Sequence, residues 1–127
     1  MSNTFQITNW DEQSYLEFED GVKYSKASIK KQYQGQLVGE GQLEYLMSYH
    51  NNGHATFVGM EHVTVVIDGK QGSCTLQHKG SFKEGIASST FEILPESATG
   101  DLKGLTGRGS FSTGHSMTVE FDFQFEL

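Results

Sequence analysis

Glu61 interrupts a strand face that is otherwise apolar, which makes it the first candidate for chemistry. It shares the alternation of Phe57 and Val63, so we expect its carboxylate to point toward the same interior as those side chains. A carboxylate in apolar surroundings is costly unless a partner neutralises it. One interpretation is a polar anchor, or a general base with a raised pKa, at one end of a cavity. The other is a structural residue paired with Arg108 or Lys31.

His78 is the second candidate, and it shares a strand face with Cys74. Its imidazole either contacts Glu61 or a ligand, or is a core or rim histidine satisfied by its neighbours. Cys74 itself is best interpreted as a small buried hydrophobe. We predict that Glu61 and His78 form one polar cluster inside the protein or at its mouth, joined by Tyr45 and Arg108. These four residues are the predicted ligand contacts. Glu61, His78 and Tyr45 each share a strand face with apolar neighbours, so each would cost about 1–3 kcal/mol if left unpaired.

Other patterns that could carry chemistry are incomplete. His50 and His54 flank a turn, but a zinc site needs three or four ligands. The glycines between Gly100 and Gly109 lack the Gly-Lys-Ser/Thr ending of a phosphate-binding loop, and no nucleophile-elbow spacing occurs. We therefore predict no metal site, no cofactor and no catalytic residue.

Strands must position these side chains, because apolar and polar residues alternate along much of the chain. The last segment is the clearest: Phe121 and Phe123 should point inward, with Phe125, while Glu120 and Asp122 should point to solvent, with Glu126. The same alternation predicts strands over 5–8, 22–33, 36–50, 55–67, 72–80, 86–94, 102–111 and 117–127. Helical structure is limited to single turns between Asp11 and Asp20.

The connections between these segments are short and rich in glycine and asparagine, as at 51–53 and 68–70. Such turns join consecutive strands as antiparallel neighbours and leave no room for parallel crossovers. Glycines within strands, such as Gly41 and Gly59, favour the bends of a closing barrel. We predict one all-β domain over 1–127, a single antiparallel up-and-down β-barrel of about eight strands, with a two-sheet sandwich as the alternative.

Composition limits the partners. The 127 residues carry 9 Lys and Arg against 16 Asp and Glu, a net charge of -7, which argues against binding to nucleic acid or to an anionic membrane. The single cysteine excludes an intrachain disulfide framework. The sequence also lacks a basic leader and an apolar run of about 20 residues, so we expect a cytoplasmic protein with no membrane partner.

Two features bear on binding. The segment 55–67 is largely apolar on both faces, which favours a homodimer as the first guess for a partner. Aromatic side chains on the inner faces either line a cavity for one small apolar ligand or fill the barrel themselves. They are Tyr45, Tyr49, Phe57, Phe91, Phe111, Phe121, Phe123 and Phe125.

Several segments resemble domain-of-unknown-function family 3224 of bacteria. They are KAS at 26–28 with Gly35, GEG at 39–41, EYLM at 44–47, FVGME at 57–61, GS at 72–73, LQHKG at 76–80 and, most distinctively, SATGDLKGLTG at 97–107. Two positions depart from the family pattern: Ala98 stands where glycine is frequent, and Thr106 where arginine is common. The second departure argues against an anion site at that corner.

The resemblance implies a barrel similar to that of plant allene oxide cyclase, and it implies no activity. We predict a non-catalytic barrel that binds a small apolar molecule through Glu61, His78, Tyr45 and Arg108. The alternatives are an enzyme similar to allene oxide cyclase, in which the barrel confines a reactive apolar substrate, and a structural or interaction protein with a filled core.

Overall fold

Eight antiparallel strands follow one another around a closed barrel in the computed structural model, which describes residues 3–114 and 116–127. They are β1 (Asn3–Glu17), β2 (Lys23–Gln34), β3 (Leu37–Tyr49), β4 (Ala55–Ile67), β5 (Lys70–Lys83), β6 (Ile86–Ile93), β7 (Thr106–Thr113) and β8 (Thr118–Glu126). A 3-10 turn, Gly100–Leu102, lies between β6 and β7. The predicted all-β, up-and-down architecture is confirmed, and one ring of eight paired strands replaces the alternative of two packed sheets.

The ring closes where β8 pairs back with β1, through only four residue pairs from Asn3↔Phe121 to Gln6↔Thr118. The Ile7 N–H still donates to the Met117 carbonyl oxygen. Beyond Ile7, β1 continues as the partner of β2 alone, and two register shifts bend it there. The prediction of helical turns between Asp11 and Asp20 is therefore wrong, since strand β1 continues to Glu17. Its outer half lacks a clear alternation because it is exposed on both faces.

The alternation of apolar and polar residues along each strand determines which side chains point into the barrel. Phe121 and Phe123 are buried and Phe125 is half-buried, whereas Glu120, Asp122 and Glu126 are exposed, as predicted for the last strand. Some inward positions are glycines because a large neighbour occupies their space. A Cβ at Gly59 would collide with the Tyr45 ring, so the glycine lets that ring lie flat against the sheet.

The two ends of the barrel differ in their connections. At one end, which we call the closed end, 94–105 folds back over the opening and places Leu102 and Leu105 in the core. Backbone hydrogen bonds from Leu94 to Thr75 and from Thr99 to Ser73 hold this segment against β5. This is why β7 begins at Thr106 rather than at the predicted residue 102.

At the opposite end, the open end, the connections include 18–22, 50–54 and 84–85. Each reverses the chain within a few residues, and a cavity remains beneath them. In the part of the chain that the structure covers, no helix has the length and apolar character needed to cross a membrane.

Candidate functional site

A cluster of four buried polar side chains lies between the two ends of the barrel. It comprises Lys31 and Tyr33 of β2, Glu61 of β4 and His78 of β5, and we call it the polar floor. The Glu61 Oε1 atom lies 2.7 Å from His78 Nε2 and 3.3 Å from Lys31 Nζ. The Tyr33 hydroxyl donates to Glu61 Oε2. One carboxylate thus accepts hydrogen bonds from three different side chains.

The sheet provides the room for this carboxylate at Gly41. Gly41 lies on β3 between Lys31 and Val63 in the strand register. A side chain there would point inward, and its Cβ would collide with the Glu61 carboxylate and approach the Tyr33 ring. The absence of a side chain at Gly41 is therefore a condition for seating Glu61 beside its partners.

Glu61 is ionised at neutral pH. Burial by itself raises the pKa of this carboxyl group, but the charge of Lys31 and the hydrogen bonds from His78 and Tyr33 outweigh it and bring the pKa to about 2. The interpretation of Glu61 as a general base with a raised pKa is therefore wrong. On folding, the Glu61 carboxylate contacts the Lys31 cation and accepts hydrogen bonds from His78 and Tyr33. The alternation within β4 alone does not reveal these contacts.

His78 is neutral in the polar floor. Burial lowers the pKa of its imidazole, and the nearby Lys31 charge acts in the same direction, while the hydrogen bond to Glu61 opposes both. A neutral imidazole that donates from Nε2 carries a lone pair on Nδ1. That Nδ1 atom is buried and has no hydrogen-bond partner among residues 3–114 and 116–127.

A cavity of about 380 Å³ opens above the polar floor, toward the open end. Its walls are almost entirely apolar and include Phe5, Ile29, Met47, Phe57, Phe111 and Val119. A concavity of about 600 Å³ along β7 and β8 is more open and more polar. Another of about 600 Å³, beside β4, β5, β6 and β7, is also apolar but is more open to solvent. The open-end cavity is the one whose shape and lining fit a small organic molecule.

Among the described residues that line this cavity, Lys31 carries the charged side chain. Its side chain is 2% exposed, and its Nζ atom lies 4.0 Å from the centre of the Phe5 ring and 5.7 Å from that of Phe111. Burial lowers the pKa of the Lys31 amine, and the charge and hydrogen bond of Glu61 oppose that shift. An ammonium has three N–H donors, whereas the described residues give Nζ one hydrogen-bond partner, Glu61.

A second polar group lies at the mouth of the cavity, around Glu12. Its Oε2 atom accepts hydrogen bonds from Ser25 Oγ at 2.7 Å and from the Tyr49 hydroxyl at 2.5 Å, and its Oε1 accepts one from Trp10 Nε1 at 3.1 Å. Burial raises the pKa of Glu12, but these donors and Lys23 lower it below the usual value overall. Trp10 and Tyr49 also line the cavity, so Glu12 fixes two side chains of its rim.

The structure unites some of the predicted site residues and separates others. Glu61 and His78 do form one buried cluster, as predicted. Tyr45 borders it through its ring, whose centre is 6.0 Å from that of His78, and it also lines the cavity. Arg108 is exposed on the outer face of β7, opposite Glu92 and Gln124, so its predicted membership of the cluster is wrong.

Lys31 and Tyr33 belong to the cluster, whereas the predicted Arg108 does not, and the alternation of β2 already indicates that both point inward. Lys31 and Tyr33 share the alternation of Ala27 and Ile29, which are buried. That parity places them inside the barrel, and Lys31 is the partner considered for Glu61 in its structural interpretation. Arg108, in contrast, alternates with the inward Gly107 and Gly109 and so faces outward.

Comparisons with known proteins agree with one another. The family model described as protein of unknown function, DUF3224, matches residues 1–125. A solved structure, that of a protein with unknown function from the DUF3224 family of Shewanella oneidensis MR-1, is 26% identical. The match covers 100% of this chain and 98% of that chain, with a TM-score of 0.73. A search of curated proteins gave no significant match. The chain belongs to the DUF3224 family of proteins of unknown function.

Proposed function

We propose that this barrel binds one small, mainly apolar molecule in the open-end cavity, with its buried end against the polar floor. The observation that carries the proposal is the combination of apolar walls with a buried cation, Lys31, at the base. Apolar walls supply affinity through the removal of apolar surface from water. One polar contact in such a site fixes the orientation of the ligand.

The size of the cavity limits the ligand. A volume of about 380 Å³ holds roughly a dozen non-hydrogen atoms, if each occupies about the 30 Å³ that a water molecule takes in the liquid. That is the size of a short aliphatic or monocyclic compound.

Binding is better supported than catalysis. A general base works best when its pKa lies near the working pH, whereas the pKa of Glu61 is about 2 and its oxygens already accept three hydrogen bonds. An enzyme that only confines a reactive apolar substrate, similar to allene oxide cyclase, would need the same cavity. Nothing in the polar floor favours that reaction over simple binding.

Toluene binding tests the proposal, with Trp10 as the reporter. Trp10 is the single tryptophan and lies at the rim, so its fluorescence should change saturably as toluene fills the cavity. Ala87→Phe places a ring into the cavity from β6 and should abolish the change, while Ser88→Phe, on the exposed face of the same strand, should preserve it. Absence of saturable binding to the wild-type protein, or unchanged binding to Ala87→Phe, would contradict the proposal.

We further infer that the protein forms a homodimer through the outer faces of β3 and β4. Five aliphatic side chains there are between 38% and 51% exposed: Val38, Leu46, Val58, Met60 and Val66. Leu46 lies opposite Val58 at one end of this strip and Val38 opposite Val66 at the other, with the polar pairs Gln42–His62 and Glu40–Thr64 between them. The strip is therefore apolar at both ends and polar in the middle. Glu44 lies within the strip, opposite Met60, and Lys26 on β2 lies beside Leu46. These opposite charges would be self-complementary across a two-fold axis.

Light scattering tests the dimer directly. The chain mass is 14.1 kDa, and we expect twice that mass at micromolar concentration. Val58→Lys should return the monomer mass by placing a charge in the strip, whereas Thr90→Lys, on the exposed face of β6, should leave the dimer intact. A monomeric wild-type protein would contradict the inference.

A further inference from the structure

We propose that the natural ligand is an uncharged molecule whose buried end is a carbonyl oxygen, which accepts a hydrogen bond from Lys31 Nζ. This inference rests on the proposed function, and it adds the chemical class of the ligand. It differs from what a lysine in an apolar cavity first suggests, namely a carboxylate such as a fatty acid.

The charge balance of the polar floor argues against an anionic ligand. Lys31 is already paired with Glu61, at 3.3 Å, and His78 is neutral, so the buried group has no excess positive charge. A ligand carboxylate would leave two buried anions facing one cation, and an uncompensated buried charge is strongly unfavourable. If Lys31 lost its proton, the excess negative charge would be larger still. Glu12, which holds two residues of the rim, adds a further anion nearby.

The donor inventory argues for an acceptor. Nζ has spare N–H groups above Phe5 and Phe111, and both rings line the cavity. A buried donor without an acceptor is costly, and a hydrogen bond from a charged donor is stronger than one between neutral groups. An oxygen at the base of the cavity would satisfy Nζ and keep the net charge of the floor unchanged.

A carbonyl fits this position better than a hydroxyl. A hydroxyl brings its own hydrogen, which also needs an acceptor. Glu61 accepts from Lys31, His78 and Tyr33 and does not line the cavity. The free lone pair of His78 Nδ1 belongs to a residue that does not line the cavity. A ketone, an aldehyde or an ester carbonyl has no hydrogen to satisfy.

Three probes of nearly equal shape separate these possibilities: acetophenone, ethylbenzene and benzoate. They carry a carbonyl, no polar group and a carboxylate, respectively, and each fits a cavity of about 380 Å³. Isothermal titration calorimetry on the wild-type protein should give a dissociation constant for acetophenone about tenfold lower than that for ethylbenzene. Benzoate should bind more weakly than either.

Two variants assign the preference to the polar floor. In the double variant Lys31→Met with Glu61→Gln, which keeps the floor neutral, the ratio of the acetophenone and ethylbenzene constants should fall to about one. In Glu61→Gln alone, Lys31 loses its counter-ion, and benzoate should bind about tenfold more tightly than to the wild-type protein. Lys30→Met, on the exposed face next to Lys31, is the matched control and should change none of these ratios.

The outcomes distinguish a failure of the carbonyl inference from a failure of the proposed apolar binding site. Benzoate binding at least as tightly as acetophenone, equal binding of acetophenone and ethylbenzene, or a preference that survives in the double variant would each overturn the carbonyl inference. Any of these leaves the proposed apolar site in place. Failure of all three probes to bind would instead overturn the proposed function.

Discussion

The closed and open halves of this barrel are built from the same eight strands, yet one is filled and the other contains a cavity. In the closed half, Leu37, Ile67 and Leu76 pack against the Leu102 and Leu105 side chains that 94–105 brings back. In the open half, rings such as Phe57 line a space of about 380 Å³. The difference lies in the connections, because a closing segment of twelve residues covers one end while tight reversals dominate the other. An eight-stranded barrel is near the size at which a few added side chains decide between a core and a cavity.

The polar floor is the boundary between the halves, and breaking it should give the largest effect on stability. Lys31→Met leaves Glu61 buried without its cation, and we expect the free energy of unfolding to fall by about 3–5 kcal/mol in urea denaturation. The double variant Lys31→Met with Glu61→Gln removes both charges and should recover most of this loss. If Lys31→Met alone were as stable as the double variant, the Lys31–Glu61 ion pair would not stabilise the boundary between the two halves.

Truncation within the closed half should have the next largest effect. Leu102 is fully buried, so Leu102→Ala should lower the free energy of unfolding by about 3 kcal/mol, through lost burial and the cavity left behind. Toluene binding at the other end should not change. Lys103→Ala, at an exposed neighbour, serves as the control and should stay within about 0.5 kcal/mol of the wild-type protein.

Acid should destabilise the floor before it affects the apolar closed half. The pKa of Glu61 is about 2 in the folded state, against an ordinary value of 4.5. The unfolded chain therefore binds this proton first as pH falls, and stability present above pH 4.5 is lost toward pH 2. From this group alone we expect a loss of about 2 kcal/mol at pH 3.

The lowered pKa of His78 adds a loss of the same sign, which begins below the pKa of an unfolded histidine near 6.5. Urea denaturation at a series of pH values measures the slope. The double variant Lys31→Met with Glu61→Gln should flatten the part between pH 4.5 and 3, and an equal slope in both proteins would contradict the assignment to Glu61.

Truncation at the open end should have the smallest effect. Phe82 is half-buried and already borders the cavity, so Phe82→Ala should cost about 1 kcal/mol, well below the usual cost for a buried phenylalanine. The comparison between the halves therefore predicts that Phe82→Ala lowers the free energy of unfolding less than Leu102→Ala does. Thermal unfolding of the two variants side by side checks it, and the reverse order would contradict a filled closed half.

The strands could be predicted because alternation is a local property of the sequence. It gave the inward faces of β4, β5 and β8, and with them the pairing of Glu61 and His78. It failed over 11–17, where β1 is exposed on both faces and no interior imposes a pattern. Arg108 was assigned from its charge rather than from its parity, which pointed outward.

The cavity could not be predicted because it depends on long-range packing. Whether inward aromatic rings meet or leave a space is decided by the closing segment that supplies Leu102 and Leu105 at one end. The alternation pattern instead assigns the end of that segment, 102–105, to the start of a strand. Similarly, the lowered pKa of Glu61 depends on Lys31, thirty residues earlier in the chain, and the two come into contact only when the barrel closes.

We propose that the open half is a ligand site whose polar contact is Lys31. A crystal structure of the protein soaked with acetophenone tests it most directly. We expect one molecule in the open-end cavity, with its ring against Phe57 and Phe111 and its carbonyl oxygen within about 3 Å of Lys31 Nζ. A cavity filled by the protein's own side chains, or a molecule bound with its carbonyl toward the rim, would contradict it.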